Sequence, residues 1–405
     1  MQTADQDQAT TAPTYGAAIR RAYTPASYRW TVARERKQDA CPGALQVHQA
    51  SDGALVRVRL PGGVLRADQL NALAHAAADY GSATLELTSR GSVQLRGISD
   101  PASVADAVGD AGLLPSPTHE RVRNIVSSPL SGRVGGVLDV RPWVSELDAT
   151  VCAEPELAGL PGRFWFSLDD GRGDVSGLRA DVGAHVLDAG SVALLISGTD
   201  SGVRLDADDV VSTMVTVARR FAEVRGTHWR IGELDDPGVV LGDLRPSAEP
   251  GRTWSAPTKG PVGWSEQRDG RITLGAGVPL GVLSSRTAEF VAAIEAPLVI
   301  TPWRSLLVCD LSEHVADVSL RVLAPQGLIF DENSPWLGVS ACVGSPGCER
   351  SIADVRSDAA EAVSAGNLTG EHRHYVGCER ACGSPSVGQV LVATGDGYRR
   401  RDTHA

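Results

Sequence analysis

The feature that most constrains the fold is a repetition: the chain runs through one order of elements twice, about 214 residues apart. In the first copy, "VRVRLPGGVL" sets Val56, Val58 and Leu60 in alternation with Arg57 and Arg59, the period of a half-buried strand. This reading leaves both arginines on a solvated strand face. The "PGG" at 61–63 is a turn. Leu70, Leu73, Ala74 and Ala77 then recur at helical spacing, "ATLELTS" and "SVQLRGI" form a strand pair broken at Arg90-Gly91, and "ASVADAVGDAG" is a second helix. The order β-α-β-β-α is that of a ferredoxin-like half domain. "RITLGAGVPLG", "RTAEFVAAI", "LVITPWRSLLVCDL" and "APQGLIF" give the same order again. Several anchors near one offset point to an internal duplication, although an Ala-, Val- and Gly-rich chain can also match itself by chance. Within the first half, the amphipathic stretch "LDADDVVSTMVTVARRFAEV" reads as a helix, with Val210, Met214, Val217 and Phe221 on one face.

The two copies differ where chemistry would sit. A shift of 214 places Ser128 opposite Cys342, and "FSLDDGRGDVSG" stands where the second copy has "HYVGCERACGSP". A pseudo-symmetric shell with one asymmetric site would produce this pattern. Cys342 and Cys348 are spaced Cys-x5-Cys, and Cys378 and Cys382 Cys-x3-Cys. Four thiolates are the ligand set of a 4Fe–4S cluster. Structural zinc favours pairs two to four residues apart, which only Cys378/Cys382 satisfies. Unrelated thiols are the third reading. Gly344, Gly347, Gly377 and Gly383 would let backbone N–H groups approach sulfides. Cys41, Cys152 and Cys309 are isolated, and Cys309 in "LLVCDL" reads as a small buried hydrophobe.

Composition removes several function classes. The 405 residues carry a net charge of −11 and no long Lys/Arg run, which argues against nucleic acid as a partner. No stretch reaches the roughly 18 apolar residues of a membrane helix, so no membrane partner is expected. The polar start "MQTADQDQATTAPTYG" lacks a secretory pattern, so a cytoplasmic location is expected. There, clustered cysteines serve metals or catalysis more often than disulfides. Lys37 and Lys259 are the only lysines among 38 basic residues, so 36 are arginine, the side chain that grips carboxylates in a bidentate way. A GC-rich genome would give the same bias.

Together the cysteine pairs, the duplication, "LTSRGSVQLRG", "RVRNIVSSPLSG" and "LPGRFWF" resemble the sirohaem nitrite/sulfite reductase superfamily over roughly residues 40–395. The resemblance implies an α+β, pseudo-twofold duplicated fold with two ferredoxin-like half domains and two larger α+β halves. It also implies a 4Fe–4S cluster on Cys342, Cys348, Cys378 and Cys382, beside a tetrapyrrole. The implied division is a mobile arm (1–39), a first ferredoxin-like half domain (40–115), a first α+β half without cysteine pairs (116–234), a linker (235–270), a second ferredoxin-like half domain (271–330), an iron–sulfur half (331–395) and a tail (396–405).

Reductases of sulfite and nitrite carry an "LPRKFK"-like segment with two lysines; here Arg163 and Trp165 stand in those places. "ACPGALQVHQASDGALVRVRLPGG" and "CERSIADVRSDA" look more like the precorrin-3B synthase branch of aerobic cobalamin synthesis. That branch implies an oxidoreductase, a monooxygenase that hydroxylates precorrin-3A with dioxygen and closes a lactone. The tetrapyrrole is then substrate, a mononuclear non-haem iron assists, and electrons come from a ferredoxin or a nicotinamide-linked reductase. The resemblance assigns catalytic roles to Arg90, Arg123 and Arg163, and substrate contacts to Gln94, Arg96, Arg121, Asn124 and His374. Two alternatives stay open: a sirohaem-dependent assimilatory sulfite or nitrite reductase, and a non-enzymatic, metal-stabilised tetrapyrrole-binding protein.

Overall fold

A computed structural model describes residue 39 and residues 41–366, 368, 370–385 and 387–401. The arm assigned to 1–39 lies outside the described residues except for Asp39, as do residues 402–405 of the tail. The elements run β1 (His48–Ala50), β2 (Gly53–Val58), β3 (Val64–Leu65), α1 (Ala67–Tyr80), β4 (Thr84–Leu87), β5 (Val93–Ile98), α2 (Pro101–Asp110), β6 (Ile125–Ser127), α3 (Arg141–Ala153), β7 (Phe166–Asp169), β8 (Val182–Asp188), β9 (Ser191–Ile196), β10 (Thr199–Leu205) and α4 (Val210–Val224). The second copy has β11 (Gly263–Glu266), β12 (Ile272–Gly277), β13 (Val282–Ser284), α5 (Ser285–Ala292), β14 (Leu298–Ile300), β15 (Ser305–Leu311), α6 (Glu313–Leu323), β16 (Val339–Ala341), α7 (Val355–Ser364), β17 (Arg373–Val376), β18 (Gln389–Thr394) and β19 (Gly397–Arg400).

These elements build an α+β, duplicated nitrite reductase-like fold. Two five-stranded antiparallel sheets have the orders β1-β2-β5-β4-β13 and β11-β12-β15-β14-β3. Each ferredoxin-like half therefore lends one short strand to the other: β13 pairs with β4, and β3 with β14. The turn 61–63 makes the crossing possible. Gly63 has φ +72, and a Cβ there would lie 2.0 Å from the carbonyl oxygen of Ile300, so only glycine fits. Leu70 and Leu73 of α1, Ala288 and Val291 of α5, Leu95 and Val308 belong to one continuous core that both halves share.

The repeat offset is not uniform. It is 298 − 84 = 214 at the starts of β4 and β14, but 279 − 61 = 218 at the turns Pro61–Gly63 and Pro279–Gly281. The difference of four arises because α5, with eight residues, is six shorter than α1, with fourteen, while the loop after it, 293–297, is two residues longer than 81–83. The expected linker is only partly a connection: Val240 and Leu241 are buried in the core beneath β7 and β8, and β11 is an edge strand of the second ferredoxin-like sheet. Likewise, residues 397–400 of the expected tail form β19. The amphipathic helix is α4, and Val210, Met214, Val217 and Phe221 are all buried.

The remaining two sheets carry the asymmetry. One has the order β10-β9-β8-β7-β6, with β6, β7 and β8 parallel. The other has the order β16-β17-β18-β19, with β16, β17 and β18 parallel. Since 339 − 125 = 214, the residue after β6 is Ser128 and the residue after β16 is Cys342, at equivalent strand ends.

Candidate metal centre and guanidinium cluster

Parallel pairing brings the first and third cysteines together. β16 and β17 are in register through Ala341 and Tyr375, and Cys342 N–H extends the ladder to the Tyr375 carbonyl at 2.9 Å. Both strands end at the same level, so Cys342 follows one and Gly377-Cys378 the other. Gly377 N–H donates to Cys342 Sγ at 3.4 Å. The second loop folds back against this end: Ile352 N–H donates to the Gly377 carbonyl at 3.2 Å, and a Cβ on Gly377 would lie 1.7 Å from Ser351 Oγ. All seven cysteines are free thiols. Burial pushes the Cys342 and Cys382 thiols above their usual range, and the neighbouring cysteine sulfurs add to the shift.

Four sulfurs within electrostatic reach of one another, two of them resisting ionisation, form a donor set that needs a positive group to become thiolates. An iron–sulfur cluster fits that requirement and the N–H groups aimed at sulfur. Among the described residues, no three His, Cys, Asp or Glu side chains close around a single ion.

His374 lies behind this centre. It is fully buried; its Nε2 donates to the Cys382 carbonyl at 2.9 Å, and its Nδ1 accepts from Ser340 Oγ at 2.8 Å. Ser340 Oγ in turn accepts from His372 Nε2 at 2.8 Å. Burial, with Arg304 nearby, pulls His374 down to about 3, so the ring is neutral. Both ring nitrogens are occupied by protein groups. His374 thus positions the Cys382 loop and has no free nitrogen for substrate, the role expected from the sequence.

The arginines separate into two kinds. Arg90 donates to the Gly162 carbonyl at 3.3 Å and lies 5.5 Å from the Trp165 ring, with no carboxylate at ion-pair distance among the described residues. Burial and the charge of Arg230 draw it down to about 9. Arg163 is exposed and stacks 4.9 Å over Trp229. Arg121 donates to the carbonyls of Asp39 and Cys41. Asn124 binds the Gly162 and Phe164 carbonyls and accepts from Arg59. These groups surround Cys41 and Gly162.

Two of the expected arginines are instead neutralised. Arg123 forms a bidentate pair with Asp148 at 2.7 and 2.6 Å, so its fork is already filled. Arg96 does the same with Asp52 at 2.9 Å and donates to the Gly347 carbonyl at 2.7 Å, bracing the loop before Cys348.

Arg57 and Arg59 are not solvated. Arg59 is 2% exposed and donates to Asn124 Oδ1 at 3.1 Å and to the carbonyl of Pro42. Arg59 and Arg57 also approach Cys41 Sγ at 3.4 and 3.5 Å. Strand alternation placed both on one face of β2; that another layer of chain covers that face is a tertiary fact. From Arg57 a row of side-chain partners leads across β5 and β4 to α7, in the half that carries the cysteine pairs. Arg57 donates to Gln94 at 2.7 Å, Gln94 to Glu86 at 2.9 Å, and Arg356 of α7 to Glu86 at 2.5 Å. Cys41, Glu86 and Arg356 carried no sequence signal beyond their residue type.

Known proteins share parts of this fold. The family "Nitrite/Sulfite reductase ferredoxin-like half domain" matches residues 48–105, which cover β1 to β5 and the start of α2. Precorrin-3B synthase of Sinorhizobium sp is 27% identical over 392 residues, covering 91% of this chain and 83% of that protein. The solved structure of the Mycobacterium tuberculosis NirA protein superposes with a TM-score of 0.70 at 20% identity, covering 86% of this chain and 73% of that one. The chain thus carries a nitrite/sulfite reductase ferredoxin-like half domain and is similar over most of its length to a precorrin-3B synthase. It is also similar to the chloroplastic ferredoxin–nitrite reductase of Zea mays, 24% identical over 397 residues, 83% of this chain and 68% of that protein. The Synechococcus elongatus ferredoxin–nitrite reductase is 33% identical over 127 residues, 29% of this chain and 25% of that one. No helix among the described residues is long and apolar enough to cross a membrane.

Proposed function

We propose that this protein is an oxidoreductase that hydroxylates precorrin-3A and closes the lactone of precorrin-3B. The observation that carries the reading is the likeness to a precorrin-3B synthase across nearly the whole of both chains. The site's geometry supports it. Trp165 is buried under the guanidinium groups of Arg90 and Arg230, 5.5 and 5.8 Å from its ring, where the resemblance to sulfite and nitrite reductases calls for a second lysine. Arg230 is paired with Asp181 at 2.7 Å, whereas Arg90 has no carboxylate at ion-pair distance among the described residues; an aromatic face beside such a guanidinium suits a flat polyacid ring better than a small anion.

The reaction adds one oxygen atom of dioxygen to the ring and releases the other as water, consuming two electrons and two protons. An iron–sulfur cluster on Cys342, Cys348, Cys378 and Cys382 would supply electrons one at a time from an external donor. Arg90, Arg121 and Arg163 would hold substrate carboxylates, Trp165 would back the macrocycle, and the Arg57–Gln94–Glu86–Arg356 row would keep the two sites in fixed relation. Trp165 and the buried face of β2 would exclude water from the clamped edge of the ring.

Anaerobic purification followed by iron, sulfide and sirohaem analysis, then turnover of precorrin-3A with dioxygen and a chemical reductant, tests the proposal. The expected result is iron and acid-labile sulfide without sirohaem, and a product heavier by one oxygen atom. Stoichiometric sirohaem with nitrite or sulfite reduction would overturn it in favour of a reductase; zinc without turnover would point to a binding protein.

A further inference from the structure

Arg304 stands in the turn between β14 and β15, which is the counterpart of the turn between β4 and β5. In the first copy Thr88 N–H donates to the Ser92 carbonyl and Gly91 N–H to Thr88; in the second Thr301 N–H donates to Ser305 and Arg304 N–H to Thr301. The counterpart of Gly91, with φ +62, is therefore Arg304, with φ +56. A side chain in the left-handed region costs energy that glycine avoids, and such residues concentrate at functional positions.

The guanidinium is unusual as well. It makes one hydrogen bond, to the Gly383 carbonyl at 2.8 Å, beside Cys382, and has no carboxylate at ion-pair distance among the described residues. Two glycines leave room for it: a Cβ on Gly281 would lie 2.8 Å from its Cδ, and one on Gly383 2.8 Å from its Nη2. Arg304 keeps some accessible surface, yet burial pulls it down to about 10. Its charge acts on Cys342 and on both neutral histidines behind the centre. The carboxylate acting on it from a distance is Glu86, which already binds Arg356 and Gln94, so no counter-anion touches the guanidinium among the described residues.

We propose that Arg304 is the counter-cation of the four-cysteine centre and raises the reduction potential of the cluster held there. The inference rests on the cluster reading above. A cluster with four thiolate ligands is anionic and becomes more so when it takes up an electron, so a nearby fixed positive charge favours the reduced state. A unit charge at such a position shifts a one-electron equilibrium on the order of tenfold, which corresponds to about 59 mV.

The test is a mediated dithionite titration of the anaerobically purified protein, followed by optical and electron paramagnetic resonance spectra, with iron and sulfide measured in every variant. Arg304→Gln, which keeps a donor for the Gly383 carbonyl, should lower the midpoint about tenfold in equilibrium constant, and Arg304→Lys should retain it. Arg304→Gly relieves the backbone, so it should melt at least as high as the wild type while its midpoint falls; a purely structural role predicts no such opposition. An unmoved midpoint in cluster-loaded Arg304→Gln or Arg304→Gly overturns the inference and leaves the cluster reading standing. Absence of acid-labile sulfide from the wild type overturns both.

Discussion

The sheets β6–β9 and β16–β19 share one strand order, yet they are held together in different ways. Beneath the first lie thirty buried apolar residues, among them Phe164 stacked on Phe221 at 5.2 Å. The second has seven, mostly small, and a satellite of Val376, Ala381 and Val392. The loops at their strand ends differ in kind as well. In the first half Asp169 gathers the N–H groups of Gly171, Gly173, Val175 and Ser176. Ser128 Oγ donates to Asp174 at 2.6 Å, and Arg172 pairs with Asp170. In the second half the corresponding loops present thiols, and the N–H of Gly377 points at sulfur. One half closes its loops with its own charges over a large core; the other has a small core, pairs exposed Glu379 with Arg399, and sets cysteines in that place. This contrast explains why a duplicated shell carries one site.

The largest test of the contrast is Cys378→Ser. It should abolish the visible absorption of the cluster and open the 331–395 half to limited proteolysis, while the first half keeps its protection. An unchanged spectrum removes Cys378 from the ligand set. In the opposite direction, Phe164→Ala should cost about 3–5 kcal/mol in denaturant unfolding, because a buried aromatic leaves a cavity. The cluster absorption per folded molecule should not change; its loss would mean that the halves are not independent.

Arg90→Ala should weaken tetrapyrrole binding by roughly 10- to 100-fold, the loss of a charge-assisted carboxylate contact. Iron and sulfide content should stay at the wild-type level, and equal affinity in a binding titration would remove Arg90 from the clamp.

The smallest expected effect sharpens the account of the first half. Burial, together with Asp169, raises Asp174 to about 7, whereas an unfolded aspartate titrates near 3.9. The folded state then holds a proton that the unfolded state has released. The stabilisation is complete below pH ~4 and is lost as pH rises towards 7. Asp174→Asn should flatten this dependence and raise stability at pH 8 by on the order of 1–3 kcal/mol. Identical pH profiles in the two proteins would mean that Asp174 is ionised in the fold.

Much of this organisation was legible in the chain. Periodicity marked β2, β4, β5 and α4, because alternation and helical spacing are local consequences of which face meets a core. The four cysteines stood out because ligand spacing is a property of short loops. Other features had no local signal. The exchanged strand Val64–Leu65 is two residues long and exists only because β14 offers it an edge. The single offset failed at the 61–63 turn because a helix can lose residues without disturbing the strands around it. Arg123 read as a ligand-binding arginine because the sequence does not show that Asp148 faces it.

The chain by itself determined that two ferredoxin-like halves repeat and that thiols gather in the segment after the second of them, since both follow from residue period and spacing. The tertiary structure alone decided which charges are spent and which remain available. Arg96 and Arg123 met carboxylates from distant segments, whereas Arg90 met a carbonyl and the Trp165 ring and Arg304 a carbonyl. The reason is that the energy of a charge depends on its surroundings, and those come from parts of the chain far away in sequence.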